Sequence, residues 1–331
     1  MKTEEITKEI TKEMLSDLLT HDNCYFAVEG VDCTGKGSIT QDMEEKGLGI
    51  EGIKVKRIDF PQYEIPSGQM IKRFLNGDFG DYTRLMEPVS AMNPVEWHAL
   101  VSSRLTRLIR EINFVASIYS LNRIEFFKTF EPEKDTVYVF DRYMYSNMIH
   151  QLSNLFFYMN SGEGKDLLQI NWRSSEDYGE IPFIEWSRDR ILNNITDIYC
   201  NWIQYEIANG VPDAYTFMLQ LDEMHILERL AKRKNTKHSG KDILETKDAI
   251  HRACMFTSHG MNKYHEDMGV SIISVTGFHN NNDLIREEIV NQYLVAVTNE
   301  LDFDELPFFD KYKELSNEDD VDGNEGDDIE D

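Results

Sequence analysis

The chain has 331 residues, of which 41% are hydrophobic and 11% aromatic. That is enough for one large domain or two ordinary ones, and too apolar for a wholly disordered chain. Its net charge of −26 disfavours a surface that grips nucleic acid or anionic lipid. No apolar run approaches the roughly 18 residues of a membrane span. The opening MKTEEITKEITKEML is charged and mixed, unlike a secretory leader. Cys24, Cys33, Cys200 and Cys254 form no CxxC pair. Zinc ribbons and redox pairs are therefore disfavoured, and a reducing, cytoplasmic compartment is expected.

In chain order, Ile6, Ile10, Met14, Leu15 and Leu18 have the spacing of one amphipathic helix, so residues 1–22 read as a helical extension. CYFAVEG (24–30) is a short apolar run ending in glycine and reads as a buried strand. Four more strands are expected at 53–60, 136–143, 214–222 and 270–277, with helical periodicity between them. Strands alternating with helices predict an α/β sandwich of three layers around a five-stranded parallel sheet. Ligands in such sheets sit at the carboxyl ends of the strands. Segments 78–112 and 152–187 are punctuated by turn residues and read as additions to a domain spanning 23–298. The stretch 299–331 is acidic: from Glu300 onward, 15 acids face Lys311 and Lys313. It is expected to be largely disordered. A solvated tail is the ordinary reading, and recruitment of a basic partner is the sharper one.

Gly30-Val31-Asp32-Cys33-Thr34-Gly35-Lys36 follows the first strand and precedes a helical segment. This is the G-x-x-x-x-G-K pattern of a phosphate-binding loop. Glycines let backbone N–H groups turn toward an anion, and the helix presents its positive end to it. Lys36 would reach the outer phosphates as a point charge. The pattern asks next for Ser or Thr, to ligate Mg²⁺. Here Gly37 comes first and Ser38 second. One helical step is about 100° of rotation, so Ser38 does not simply substitute. Water in that coordination place, a metal held by carboxylates and impaired activity all remain open.

Other residues cluster after the strands. Phe60-Pro61 ends the second strand, where Phe60 and Tyr63 could wall a base or pack in the core. Tyr119 and Arg123 lie four apart on one helix face, a ring for stacking and a guanidinium for a base carbonyl. Asp141-Arg142 closes the third strand. Beside such a loop they read as a metal-organising carboxylate and a clamp for phosphate, or as a structural ion pair. Ser146, Asn147, His150 and Gln151 continue along the next helix.

FAVEGVDCTGKGS (26–38), FPQYEIPSGQMIKRFLNGDFGD (60–81), YSLNRIE (119–125), DRYMYSNMIHQ (141–151), GVPDAYTFMLQLD (210–222) and ERLAKRKNTKHSGKDILE (228–245) occur in this order. Together they resemble the thymidylate kinase (dTMP kinase) family of the P-loop nucleoside monophosphate kinase group. The resemblance implies a P-loop NTPase-type fold with a mobile lid at about 229–245, ATP as phosphoryl donor with Mg²⁺, and conversion of dTMP to dTDP. It implies ATP contacts along residues 30–38, from Gly30 through Lys36 to Gly37 and Ser38. For dTMP it implies Asp32 at the sugar 3′-hydroxyl, Phe60 and Tyr63 near the monophosphate, Tyr119 stacked on thymine, Arg123 at its O4 and Arg142 on its phosphate. Asn147, His150 and Gln151 complete that set, His150 standing near the sugar 2′ position where relatives often have Tyr. Asp141, with Asp32, would organise the metal.

Phosphoryl transfer needs in-line positioning and cations around spreading negative charge. The loop position that carries arginine in part of this family holds Cys33. Catalysis is therefore expected from the lid, which carries Arg229, Lys232, Arg233, Lys234, Lys237 and Lys241, with Arg233 first and Arg229 next beside Lys36 and Arg142. A homodimer is implied as well; nucleic acid and membrane are not expected partners. A thymidine or deoxynucleoside kinase is an alternative, though Asp-Arg-Tyr stands where those enzymes typically carry Glu-Arg-Ser. A nucleotide-binding module that has lost turnover is the other, motivated by Gly37, the extra segments and the tail.

Overall fold

The structure, a computed structural model, describes residues 24–79, 94–160, 199–234, 247–257 and 270–299. The expected N-terminal helix, the acidic tail, segment 161–198 and the lid beyond residue 234 lie outside the described residues. The elements in order are β1 (Tyr25–Gly30), α1 (Lys36–Lys46), β2 (Lys54–Asp59), α2 (Pro66–Leu75), α3 (Pro94–Phe127), β3 (Thr136–Asp141) and α4 (Met144–Asn160). They continue with α5 (199–208), β4 (Tyr215–Gln220), α6 (Glu223–Lys234), α7 (Lys247–Met255), β5 (Val270–Ser274) and α8 (Asn282–Asn299).

All five strands are parallel, in the order β2-β3-β1-β4-β5. This is the α/β P-loop NTPase-type fold. A parallel sheet covered on both faces demands apolar residues at odd and even positions alike. In β1 and β3 the alternation divides these residues between two cores. Phe26, Val28, Val137 and Val139 pack with Ile39 and Met43 of α1 and with Ile289 and Tyr293 of α8. Tyr25, Ala27, Tyr138 and Phe140 pack with Ile124 at the end of α3 and with Tyr143 and Val211. Aromatic rings fill that second face: Phe140 stacks on Tyr143 at 4.2 Å and meets Phe60 edge-on at 5.8 Å.

Strand register sets the site. Gly30 pairs with Leu219, Val28 with Asp141, and Asp59 with Asp141. The loop after β1 and the residues closing β2 and β3 therefore emerge side by side. The second half of segment 78–112 belongs to α3, which runs without a break to the turn bearing Tyr119 and Arg123.

Phe140 is wholly buried among Tyr25, Phe60 and Tyr143. Phe140→Ala should lower unfolding stability by about 3–5 kcal/mol. It should appear as a lower urea midpoint at unchanged slope.

Candidate active site

The loop after β1 has the backbone its glycines permit. Gly30 and Gly35 have φ of 141° and 110°. A Cβ on Gly30 would stand 2.7 Å from the Leu219 carbonyl oxygen of β4, so no larger residue fits beside that strand. Cys33 also takes a positive φ, 68°. Thr34 closes the turn by donating its hydroxyl to the Val31 carbonyl at 2.9 Å. Lys36 opens α1 and folds back across the loop. Its ammonium donates to the carbonyls of Gly30 and Val31 at 2.7 and 2.8 Å and lies 3.8 Å from Asp32. Burial pulls this ammonium below the ordinary lysine range, against the opposing pull of Asp32.

Asp32 is the meeting point of the cations. It is buried, and Arg142 Nη2 donates to its Oδ1 at 2.6 Å. Its other oxygen, Oδ2, stands 3.7 Å from His150 Nε2. Arg142 reaches it from a left-handed backbone, φ 67°, and Asp32 raises its pKa further. Burial pushes the His150 imidazole down to about 4, the nearby Asp32 opposing the shift. His150 is therefore neutral at physiological pH.

A narrow cleft lies against these groups. Asp32, Arg142 and His150 lie on its polar side, with Ser146 and Asn147 of α4 beside them; Phe60, Pro61, Leu75, Tyr119 and Tyr143 form its aromatic and aliphatic walls. Arg123 lines it too, yet its guanidinium is already engaged. Nε and Nη2 donate to Glu206 of α5 at 2.5 and 2.7 Å, and Nη1 donates to the Tyr143 carbonyl at 2.9 Å. The structure thus shows Arg123 bracing α3 against α5 and the start of α4. Tyr63, like Tyr119, packs against the apolar cluster that holds Ile71 and Phe74, with Lys72 over its ring, and it lies near enough to Arg142 to act on its charge. Gln151 is buried, with Nε2 lacking a partner among the described residues.

Three functional residues escaped the sequence reading. Glu29, wholly buried at the end of β1, accepts the backbone N–H groups of Tyr143 and Tyr145, both at 2.8 Å, and the Ser146 hydroxyl. Burial raises its carboxyl above the usual range. Its signal was a lone acid inside an apolar run. Glu206 is the second, joined to Arg123 across 83 positions, with no local pattern to link them. Arg57 of β2 is the third: Nη2 donates to Asp141 Oδ2 at 2.8 Å, and Nε lies 2.6 Å from Asp59 Oδ1.

Arg229 lies in α6 and caps the loop from outside, donating to the Thr34 and Cys33 carbonyls at 2.8 and 3.3 Å and to Asn280 at 3.3 Å. Arg233 is on the same helix; its side chain lies outside the described residues, as do Lys237 and Lys241. Ser38 is exposed, while Gly37 faces Asp141: a Cβ there would stand 3.1 Å from Oδ2. The corner that holds Mg²⁺ in this fold needs the hydroxyl after the lysine and the strand-end carboxylate. Here the hydroxyl is missing and the carboxylate is paired with Arg57. As arranged, these residues do not fit the metal. Among the described residues no group of three or more His, Cys, Asp or Glu is placed to hold one. No described helix is long and apolar enough to cross a membrane.

Two measurements check this geometry. Between about pH 6.5 and 4 the unfolded chain protonates His150 while the folded chain does not, so stability falls as pH falls, by about 1.4 kcal/mol per unit. His150→Gln should flatten that slope in denaturation curves across this window. Glu206→Ala leaves a buried guanidinium unpaired and should cost about 3–5 kcal/mol, read in the same denaturant titration.

No family model matches the chain, and no curated protein matches it significantly in sequence. Among solved structures, it is similar to thymidylate kinase from Candida albicans at 17% identity, with 84% of this chain and 93% of that one covered and a TM-score of 0.43. Deoxyadenosine kinase from M. mycoides with bound dATP follows at 11%, with 81% and 97% covered and a TM-score of 0.38. Polyphosphate kinase 2 from Arthrobacter aurescens TC1 has 13%, 96% and 82%, and 0.34. At these values the likenesses assign no substrate to this chain.

Proposed function

We propose that the chain is a nucleoside monophosphate kinase of the thymidylate kinase type, transferring the γ-phosphoryl of ATP to dTMP to give dTDP and ADP. One observation carries the reading. Asp32, inside the phosphate loop, bonds Arg142 at the floor of a cleft walled by Phe60 and Tyr119. A donor site and an aromatic acceptor site therefore share one buried carboxylate.

In this reading the loop's N–H groups and the N-terminus of α1 cradle the donor phosphates. Lys36 leaves the Gly30 and Val31 carbonyls and follows the transferred group. Arg142 takes the acceptor phosphate, for which its fork of donors suits two oxygens at once. Asp32 meets the sugar 3′-hydroxyl and keeps Arg142 aimed. Tyr119 supplies the stacking face. Neutral His150 faces the sugar with Asn147 beside it. Arg123, committed to Glu206, offers the base at most a shared edge of its guanidinium. Arg229, and Arg233 one turn further along α6, supply cations from the donor side. Water exclusion by the segment beyond residue 234 would protect ATP from hydrolysis. Pairing of two copies belongs to the same reading; exposed Phe114 and Leu121 on α3 offer an apolar face for it.

The second reading, a nucleotide-binding module without turnover, is favoured by the Arg57–Asp141 pair at the metal corner. One assay separates the two: ADP release from ATP with Mg²⁺ present, against a panel of nucleoside monophosphates and thymidine. The kinase predicts turnover that requires dTMP and drops about 100-fold or more in Lys36→Ala. Nucleotide binding without product for any acceptor would select the module. Turnover on thymidine but not dTMP would select the nucleoside kinase.

A further inference from the structure

In this fold the residue after the loop lysine and the carboxylate closing the adjacent strand define one corner of the phosphate site. Here that corner holds Gly37, Asp141 and the guanidinium of Arg57. A Cβ on Gly37 would lie 3.1 Å from Asp141 Oδ2 and 3.7 Å from Arg57 Nη2. The Cβ of a serine in place of Gly37 would need the Asp141 carboxylate to give way by a few tenths of an ångström. The glycine and the arginine therefore fit together.

Arg57 is not a loose surface side chain. Only 22% of it is exposed, and carboxylates stand on two sides, Asp141 at Nη2 and Asp59 at Nε. Nε is buried and, although Asp59 lies beside it, makes no hydrogen bond among the described residues. No side chain at Gly37 separates the guanidinium from the first turn of α1, which is where an anion on this loop would sit. The planar donors of an arginine match phosphate oxygens in pairs.

We propose that Arg57 is a resident cation of the phosphate site, contacting the outer phosphates of a bound nucleoside triphosphate where a divalent metal would otherwise stand, so that binding does not require the metal. The proposal rests on the reading that the loop takes a nucleoside triphosphate, and it is independent of the acceptor. The ligand it names is the metal-free triphosphate, whose extra negative charge Arg57 and Lys36 meet together. Asp141 holds the guanidinium in place.

The test is an equilibrium titration of a fluorescent ATP analogue into the full chain, once with excess EDTA and once with excess Mg²⁺. Wild-type affinities in the two arms should agree within about threefold. Arg57→Met should lose about tenfold or more in EDTA, and Arg57→Lys, which keeps the charge but not the fork of donors, should fall between it and wild type. A thermal melt of each variant without nucleotide shows whether it is folded. If the methionine variant is not folded, the wild-type comparison and the lysine variant decide. Wild-type binding that weakens more than about tenfold in EDTA, with Arg57→Met indistinguishable from wild type there, overturns the proposal and leaves the kinase reading intact. Absence of binding in both arms overturns the nucleotide site itself.

Discussion

Glu29 has no contact with water, and a carboxylate in that position is tolerated only when its oxygens are fully engaged. The partners it finds are the N–H groups of Tyr143 and Tyr145 and the hydroxyl of Ser146. These sit at the beginning of α4, where unsatisfied donors and the helix dipole favour negative charge. One bonded group thus fastens the end of β1 to the start of α4. The phosphate loop and the residues of α4 that face the cleft both descend from that joint. The phosphate loop begins one residue after Glu29. Arg142 precedes the joint by one residue, and Asn147 and His150 follow it along the helix.

Beyond the joint, opposite charges wait for an anion by holding one another. Lys36 rests on carbonyls of its own loop, Arg142 on Asp32, Arg57 on Asp141, and Arg229 on the loop from outside. A bound polyphosphate would exchange with several of these contacts. The exchange gives up protein hydrogen bonds, but the donors are already desolvated and close to position, so little further ordering is needed. His150 differs from this set. Kept neutral by burial, it adds a directional polar contact without another positive charge. Arg123 differs again: it lines the cleft while three of its donors are bound to Glu206 and Tyr143.

Much of the architecture was legible in the sequence because it is local. Apolar runs bounded by Gly30 and Asp141 gave the strands, and the seven positions from Gly30 to Lys36 gave the loop. The residues that escaped are those whose meaning is set by distant partners. Arg123 had the spacing of a base reader, and its use for Glu206 depends on how α5 returns to α3. Arg57 left a fainter trace. In β2 it shares a face with Val55 and Asp59, so an arginine stood two positions beyond a buried valine on a strand beside the site. Alternation makes that placement readable, but only the β2–β3 register shows that Asp141 is its partner.

Gly37 changes meaning once that register is known. In the sequence it is an absence, a hydroxyl missing after the lysine. In the folded chain it is a space, and Asp141 and Arg57 come together around it. A deletion alone would leave Asp141 facing solvent or a metal with one ligand fewer. A deletion accompanied by a guanidinium exchanges a mobile dication for a tethered monocation, held by the same carboxylate. Two residues twenty positions apart are then one unit, and their effects should be strongly non-additive, because each alone leaves the other's partner mismatched. Restoring serine without removing Arg57 crowds the corner, whereas removing Arg57 without restoring serine strips the corner of its cation and leaves Asp141 without its counter-charge.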